Sequence, residues 1–388
     1  SSGNGGAAVG VSAVGAGAAV SVNNIVKDTQ AYVGKGALVY YSAPGLGKDN
    51  KASLSASNTE KIYGMVLQGS GGLYAGLAGA VNVNDLSITT KAFTDTGVSI
   101  TSGSLAVEAT HNIDQLTGTV IGVSAGVGSI GAAVDVATID SQTNAYIGDS
   151  NTVQTTGTMA IEAQETLGTK DQHMKSNTVA GGVGVGGIEG SVSVYNVNSA
   201  MTEDDKALLN KDNGDFNAWV KAQSEQSNAD AALSKYDNSV AASVKDKLAA
   251  GKAAELPGTA GKEGVAAFVG RGSSITAGDV NVKSSQNLYM DDYTGSGSAS
   301  LLAGVGISVS KLNSSTSTLS EVENGSSITS SGTITVDSNV YHEHSSVVNG
   351  TSVSVVASGQ ALDSAWEDNS TAKAILGDLA AVTARNLN

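Results

Sequence analysis

Short stretches of alternating apolar and polar residues recur along the chain and predict a protein built largely from β-strands. Each copy of the first recurring block has the form Val-x-Val-x-x-aliphatic. Because side chains alternate between the two faces of a strand, the first two side chains of a copy lie on one face. The copies are Val20/Val22/Ile25, Val81/Val83/Leu86, Val134/Val136/Ile139, Val192/Val194/Val197 and Ile307/Val309/Leu312.

Two further blocks follow the first in fixed order. The second begins Ala-Tyr-Val-Gly in its first copy, at Ala31. The third is a glycine followed by an alternating strand, and the glycine marks a bend before that strand. The second block occupies 31–39, 92–100, 145–153, 267–275 and 320–328, with a trace at 374, and the third occupies 103–109, 157–163, 278–284 and 332–338.

These blocks define a repeat of 53 residues, the distance from Ala92 to Ala145 and from Ala267 to Ser320. The step from Val194 to Ala267 contains 64 extra residues. We therefore expect residues 1–200 and 265–388 to form one repeat domain, interrupted by an insertion at 201–264.

The insertion differs from the repeats in charge and in period. It has 19 charged residues in 64 positions, against 38 in the other 324, and its apolar residues recur at steps of three and four. This period predicts a small α-helical hairpin or bundle. Phe216, Trp219 and Tyr236 fit the core of such an insertion better than an exposed patch. They are nonetheless the candidate partner contact, because binding residues concentrate on loops of rigid scaffolds.

A repeat of strands and turns without a helix of its own has to stack on its neighbours to bury its apolar face. The sequence therefore predicts an all-β fold, a parallel β-helix or β-solenoid. We expect roughly two coils of about 25 residues in each repeat. The 49 glycines and the many alanines suit a narrow interior, and the presence of only 2 prolines suits continuous backbone ladders.

Composition excludes several classes of function. The chain has no cysteine, which excludes disulfides and thiolate sites. Its net charge of −15 makes nucleic acid and anionic membranes poor partners. The apolar stretch 5–22 is rich in glycine and alanine, and we interpret it as sheet rather than as a membrane span. The chain begins at Ser1 without a visible signal peptide, so we expect a piece of a longer protein.

Three motifs raise candidate chemistry, and none supports a catalytic, cofactor or metal site. The run 182–187 matches the dinucleotide pattern G-x-G-x-x-G, but an alternating strand follows it where that motif needs a helix. His342 and His344 would share one strand face at a metal-compatible spacing, without a third ligand, so a solvated face is favoured. Asp291 and Asp292 are adjacent and should point to opposite faces, which prevents a facing catalytic pair.

The strand ending in AVSVNNI (19–25), followed by TQAYVG (29–34) and later by glycine-led strands, resembles the repeats of large bacterial exoproteins. These are the passenger regions of autotransporter adhesins and the filamentous-haemagglutinin-like proteins exported by two-partner secretion. The resemblance covers nearly all of the chain outside 201–264. It implies a right-handed parallel β-helix, export from a diderm bacterium and a role in adhesion.

The function that we expect is that of a non-catalytic adhesin or stalk fragment, secreted or held at the bacterial cell surface. It would present the helical insertion to a protein or glycan on a host or bacterial surface, without a cofactor. A self-assembling filament subunit with open coil ends is the alternative, because such ends expose unpaired backbone groups. An enzyme that degrades polysaccharide is the third hypothesis.

Overall fold

The computed structural model describes residues 2–9, 14–41, 50–198, 262 and 264–388. This part of the chain is all-β, and its neighbouring strands pair in parallel. Within it there is no helix long and apolar enough to cross a membrane. Apart from Lys262 and Gly264, the insertion 201–264 lies outside the described residues, so its helical character stays a prediction.

The described strands range from short corner segments to runs of more than forty residues. Their bounds are β1 Ser2–Val9, β2 Val14–Val33, β3 Leu38–Tyr41, β4 Lys51–Gly71, β5 Ala75–Thr94, β6 Ser99–Ser102, β7 Ser104–Ile147, β8 Thr152–Thr155, β9 Met159–Leu167, β10 Met174–Val197, β11 Val265–Val269, β12 Ser274–Ala277, β13 Val280–Ser314, β14 Ser317–Val322, β15 Ser327–Ser330, β16 Thr333–Ser354, β17 Ala357–Asp368, β18 Thr371–Leu376, β19 Ala381–Thr383 and β20 Asn386–Leu387.

The strands form two parallel sheets. The larger one has 14 strands and contains all of the long runs. The smaller one has 6 short strands in the order β19-β15-β12-β8-β6-β3. The stretch 5–22, interpreted above as sheet, lies in β1 and β2 where it is described.

Equivalent positions of successive repeats pair directly with one another. Val22 pairs with Val83, Val83 with Val136, and Val136 with Val194. In the second block Ala267 pairs with Ala145 across the whole insertion. The register that the repeats predict is therefore confirmed for these copies.

Two details of the expected repeat are wrong. Every described pairing joins residues at least 53 positions apart. Each repeat therefore forms one coil of the stack and not two coils of about 25 residues. In the fifth copy of the first block, Val309 pairs with Val192 and Leu312 with Tyr195, two residues from the expected alignment. A shift of two keeps each side chain on its face, because strands have a period of two.

The bend before the third block is a column of stacked glycines. The amide of Gly157 donates to the carbonyl of Gly103 at 2.7 Å, and the amides of Gly278 and Gly332 each donate to the glycine before them at 2.8 Å. A Cβ at Gly278 would lie 3.0 Å from the carbonyl oxygen of Gly157. A larger residue would force the neighbouring backbone to give by a few tenths of an ångström, so glycine is favoured at this corner.

The long strand β7 shows how one repeat encloses its core. Residues 104–125 pair with β4, and residues 128–147 pair with β5. We call the segments stacked on 104–125 layer one and those stacked on 128–147 layer two. Near the bend the layers touch backbone to backbone, since a Cβ on Gly122 would lie 2.2 Å from the carbonyl oxygen of Ala132.

The core narrows from the small sheet toward this bend. At the wide end, Ile100, Val153 and Ile275 of the small sheet pack against layers one and two. The middle of the core holds isoleucine, leucine and methionine, and the part beyond it is mostly alanine. Small residues are therefore required near the bend, as the glycine- and alanine-rich runs predict.

Polar side chains are buried inside this core and are bonded along the stack. Asp135 accepts hydrogen bonds from the Asn82 amide at 2.8 Å, the Ser176 hydroxyl at 2.7 Å and the Tyr195 hydroxyl at 2.9 Å. Burial raises the pKa of Asp135, and these three bonds partly offset the rise. Asn82, Asp135 and Ser176 come from three successive repeats, so the network ties those repeats together.

Candidate partner-binding site at the root of the insertion

The chain leaves the sheets at Asn198, which is bonded to β7. Its amide donates to the carbonyl of Ile139 at 2.7 Å, and its side-chain oxygen accepts from the amide of Ser141 at 2.7 Å. Asn198 has a φ of 50°, a left-handed conformation that asparagine tolerates well. The residue thus ends β10 and caps the neighbouring strand.

The chain returns at Lys262, only a few residues further along the same strand. The amide of Lys262 donates to the Asn144 side-chain oxygen at 2.7 Å, and its carbonyl accepts from Gln142 at 2.7 Å. The amide of Thr143 donates to the carbonyl of Gly264 at 2.9 Å. Both ends of the insertion are therefore fixed within residues 141–144 of β7, which we call the root of the insertion.

Charged side chains surround the returning end. The Lys262 ammonium bonds to the carboxylate of Glu321 and, at 2.7 Å, to that of Glu323. Arg271 lies 3.6 Å from the second oxygen of Glu323. The Lys262 ammonium also lies 4.5 Å from the centre of the Phe268 ring, close enough for a cation–π interaction.

An aromatic stack runs past the root on the outer face of layer two. Tyr32, Phe93, Tyr146 and Phe268 stack face to face with ring centroids 5.2, 4.9 and 4.5 Å apart. Tyr32 is 62% exposed, whereas the other three rings are buried. Burial, followed by the charge of Asp95, raises the pKa of the Tyr146 hydroxyl. The stack extends across four repeats beside the place where the insertion returns.

The contact residues predicted from the sequence, Phe216, Trp219 and Tyr236, lie outside the described residues. The structure fixes where their segment begins and ends, and their own role stays a prediction.

His342 and His344 lie on one face of β16, as the spacing predicts, but the expectation that this face is solvated is wrong for His342. The His342 side chain is only 3% exposed. Its Nδ1 lies 2.9 Å from the Asp368 carboxylate and its Nε2 lies 2.8 Å from the Gln286 side-chain oxygen. Gln286 in turn donates its amide to Glu165, so both ring nitrogens of His342 face side-chain oxygens.

His342 is therefore one member of a buried hydrogen-bonded chain. The chain continues through Gln286 and Glu165 to Nδ1 of His111, 2.8 Å from the Glu165 carboxylate. Burial raises the pKa of Asp368, but bonds from Ser370 and the charge of His342 outweigh it and leave the pKa below its usual value. Within the described residues, no group of three or more His, Asp or Glu side chains could hold a metal ion.

Asp291 and Asp292 point to opposite faces of β13, as expected. Asp291 is partly exposed and pairs with Nδ1 of His173 at 2.9 Å. Asp292 is buried between the layers, where it accepts bonds from Ser310 and Thr294. Burial raises the pKa of Asp292 to about 6. The two carboxyls do not form a facing pair.

The glycine run 182–187 lies within β10. Gly182 pairs with Ser124 on one side and with Ser298 on the other. The register shift between Gly184 and Gly186 marks the bend between layers one and two. The run is strand and bend, as the alternating residues after it predict.

The aromatic stack and the buried ionic chain were not found from the sequence, although a signal for the stack is present. The second position of the second block is aromatic in four copies, at Tyr32, Phe93, Tyr146 and Phe268. Like residues at one repeat position stack when the repeats are in register. The buried ionic chain has no such signal, because its members are different residue types at different positions.

Comparison with known protein families, with curated proteins and with solved structures finds no match to the chain. The site is therefore interpreted from its own residues.

Proposed function

We propose that this chain is part of a non-catalytic bacterial adhesin or stalk, a parallel β-solenoid that presents the insertion 201–264 to a protein or glycan on a host or bacterial surface. The protein would be secreted or held at the cell surface, and the solenoid would be right-handed. It would need no cofactor, and neither nucleic acid nor a membrane interior would be its partner.

The observation that carries this proposal is the position of both ends of the insertion at residues 141–144, in the middle of an in-register stack. A stack of parallel repeats is stiff because every repeat is bonded to its neighbours through continuous backbone ladders. An element attached to such a stack at one point is held at a fixed place. This arrangement is suited to presenting a binding element at a distance from the cell.

Binding to glycan and protein arrays, with the full chain and with a chain lacking residues 201–264, tests the proposal. The full chain is expected to bind a surface glycan or protein, and the deleted chain is expected to lose that binding. Circular dichroism of both chains controls for folding. A folded deletion chain that binds the same ligands equally well would contradict the role given to the insertion.

A filament subunit is the second candidate function, because β-solenoids can stack on one another through the backbone ladders of their end repeats. Fibres that lengthen with protein concentration in electron micrographs would support this function, and a strictly monomeric particle would contradict it.

A further inference from the structure

We propose that the outer face of layer two is the docking surface for residues 199–263 of the same chain. This surface, which we call the outer seat, consists of the outward side chains of β5, β7, β10 and β11, chiefly Val83, Val136, Val194, Tyr146 and Phe268. The proposal rests on the proposed organisation of scaffold and insertion, but it does not depend on adhesion.

The valines of the outer seat point away from the core. In β7, Ala137 and Ile139 belong to the core cluster between the layers, so Val136 and Thr138 point outward. Val83 and Val194 are the register partners of Val136 and share its orientation. The three side chains form one column on the outside of the sheet.

These outward valines are nevertheless buried. Val83, Val136 and Val194 are 4%, 6% and 0% exposed. Val183, an outward valine of layer one that is flanked by two alanines, is 59% exposed. Ile121, which like Val136 has aliphatic side chains on both flanking strands, is only partly buried. Flanking strands alone therefore do not reduce the exposure of an outward side chain to the values of the outer seat, so the seat needs a cover. All described strands belong to the two sheets, so none of them supplies it.

The position of the insertion indicates which part of the protein is the cover. Asn198 and Lys262 both lie at residues 141–144 of β7, between Val136 and Tyr146 on the same strand. The 63 residues from 199 to 261 connect these two points. Their apolar residues recur at helical steps, and a helix with an apolar stripe buries that stripe against a partner surface. The seat offers aliphatic and aromatic side chains for this stripe, with Asp85 and Asp140 between the valine column and the aromatic stack.

The ion pairs at the root fit this arrangement. Lys262 is bonded to Glu321 and Glu323, and its ammonium lies against the edge of the aromatic stack at Phe268. These contacts hold the returning chain against the outer face of the sheet rather than directing it away. Lys262 itself therefore lies beside the seat, as a segment docked there requires.

The first test measures how strongly the outer seat is shielded from solvent in the full chain. The protein has no cysteine, so Val136→Cys and Val183→Cys each create one thiol on an outward strand position. The Val136→Cys thiol is expected to react with a maleimide at least about tenfold more slowly than the Val183→Cys thiol, since local opening has to precede the reaction. Equal rates would overturn the proposal. Val194→Cys repeats the test where Val136→Cys fails to fold.

The second test identifies the cover. A photo-crosslinking residue, p-benzoylphenylalanine, is introduced at Thr138 on the seat and, as a control, at Thr119 on the outer face of layer one. Mass spectrometry is expected to find crosslinks from position 138 to peptides within 199–263 of the same chain, and none from position 119. Crosslinks from 138 to a second copy, or only to neighbouring strands, would overturn the proposal. Neither test involves a ligand, so failure of the adhesion assay leaves its outcome unchanged.

Discussion

Glu189 is a carboxyl group buried at the narrow end of the core, and its substitution by glutamine should change the pH dependence of stability. It is fully buried in β10, where the Ser129 hydroxyl approaches one carboxyl oxygen at 3.4 Å and the other oxygen has no hydrogen-bond partner. Burial raises its pKa from 4.5 to about 8, and the Ser129 hydroxyl offsets part of the rise. Glu189 is therefore protonated in the folded protein at neutral pH.

The sign of the effect follows from proton binding. Between pH 4.5 and about 8 the folded chain holds a proton on Glu189 that the unfolded chain has lost. The free energy of unfolding therefore falls as pH rises through this window. Each unit is worth about 1.4 kcal/mol, so the loss reaches about 4 kcal/mol by about pH 7.5. Glutamine has nearly the shape of the protonated acid and does not ionise, so Glu189→Gln should remove this loss.

Urea unfolding followed by far-ultraviolet circular dichroism at several pH values measures the effect. Wild type and Glu189→Gln should have similar stability near the low end of the window, and the variant should be more stable by about 4 kcal/mol near its upper end. The exposed Glu367 supplies a control, because Glu367→Gln should leave the pH dependence of the wild type unchanged. Identical pH slopes for wild type and Glu189→Gln would refute the reasoning.

Three further substitutions test the packing by the same unfolding assay. Gly182→Ala should lower the free energy of unfolding by about 1–3 kcal/mol, because its Cβ would lie 1.6 Å from a Glu189 carboxyl oxygen. Gly190→Ala is the control, since nothing lies within 4 Å of its Cβ, and an equal loss in both variants would contradict this account. Ile139→Ala should cost about 2–5 kcal/mol, as it empties a fully buried core position, and a loss below 1 kcal/mol would show that the core is loosely packed. Ser150 has a φ of 56°, a left-handed conformation that strains serine, and Gly97 occupies the equivalent position in the neighbouring repeat. Ser150→Gly should therefore raise the free energy of unfolding by roughly 0.5–1 kcal/mol, and a decrease would contradict this reasoning.

The register of the stack could be predicted from the sequence because like positions recur at nearly constant spacing. Ala92, Ala145, Ala267 and Ser320 hold the first position of the second block, and the structure pairs each with the next. Parallel stacking brings equal positions together, so repeat length translates directly into strand register. The fifth copy of the first block is misaligned by its residue pattern and not by its spacing, because Lys311, nine residues before Ser320, is the partner of Val194.

The number of passes in each repeat could not be predicted, because strand content alone does not show where the chain turns. The pattern of β7 alternates through its bend near Gly126 without a proline or a polar turn sequence. Glycine and alanine let the two layers meet there directly, so the chain reverses without an ordinary loop. A long folded strand therefore resembled several short ones in the sequence.

The candidate site was only partly accessible to sequence reasoning. The insertion was predicted from the interrupted spacing, but the spacing gives no information about Asn198 and Lys262 meeting at one strand. That meeting depends on hydrogen bonds between residues more than fifty positions apart. The partners of His342 are likewise distant in the sequence, since Gln286 comes from the preceding repeat and Asp368 from the other layer of the same repeat.

Disulfide formation between engineered cysteines tests most directly that the repeats on the two sides of the insertion lie next to one another on a single axis. Gln154 and Thr276 are outward, exposed residues that pair across the small sheet, and Thr329 is the next partner beyond Thr276. Neighbouring strands are about 4.8 Å apart, within disulfide range, and alternate strands are too distant. Oxidation should close an intramolecular disulfide in Gln154→Cys/Thr276→Cys and none in Gln154→Cys/Thr329→Cys. No disulfide in the first pair, or an equal yield in both, would contradict the account.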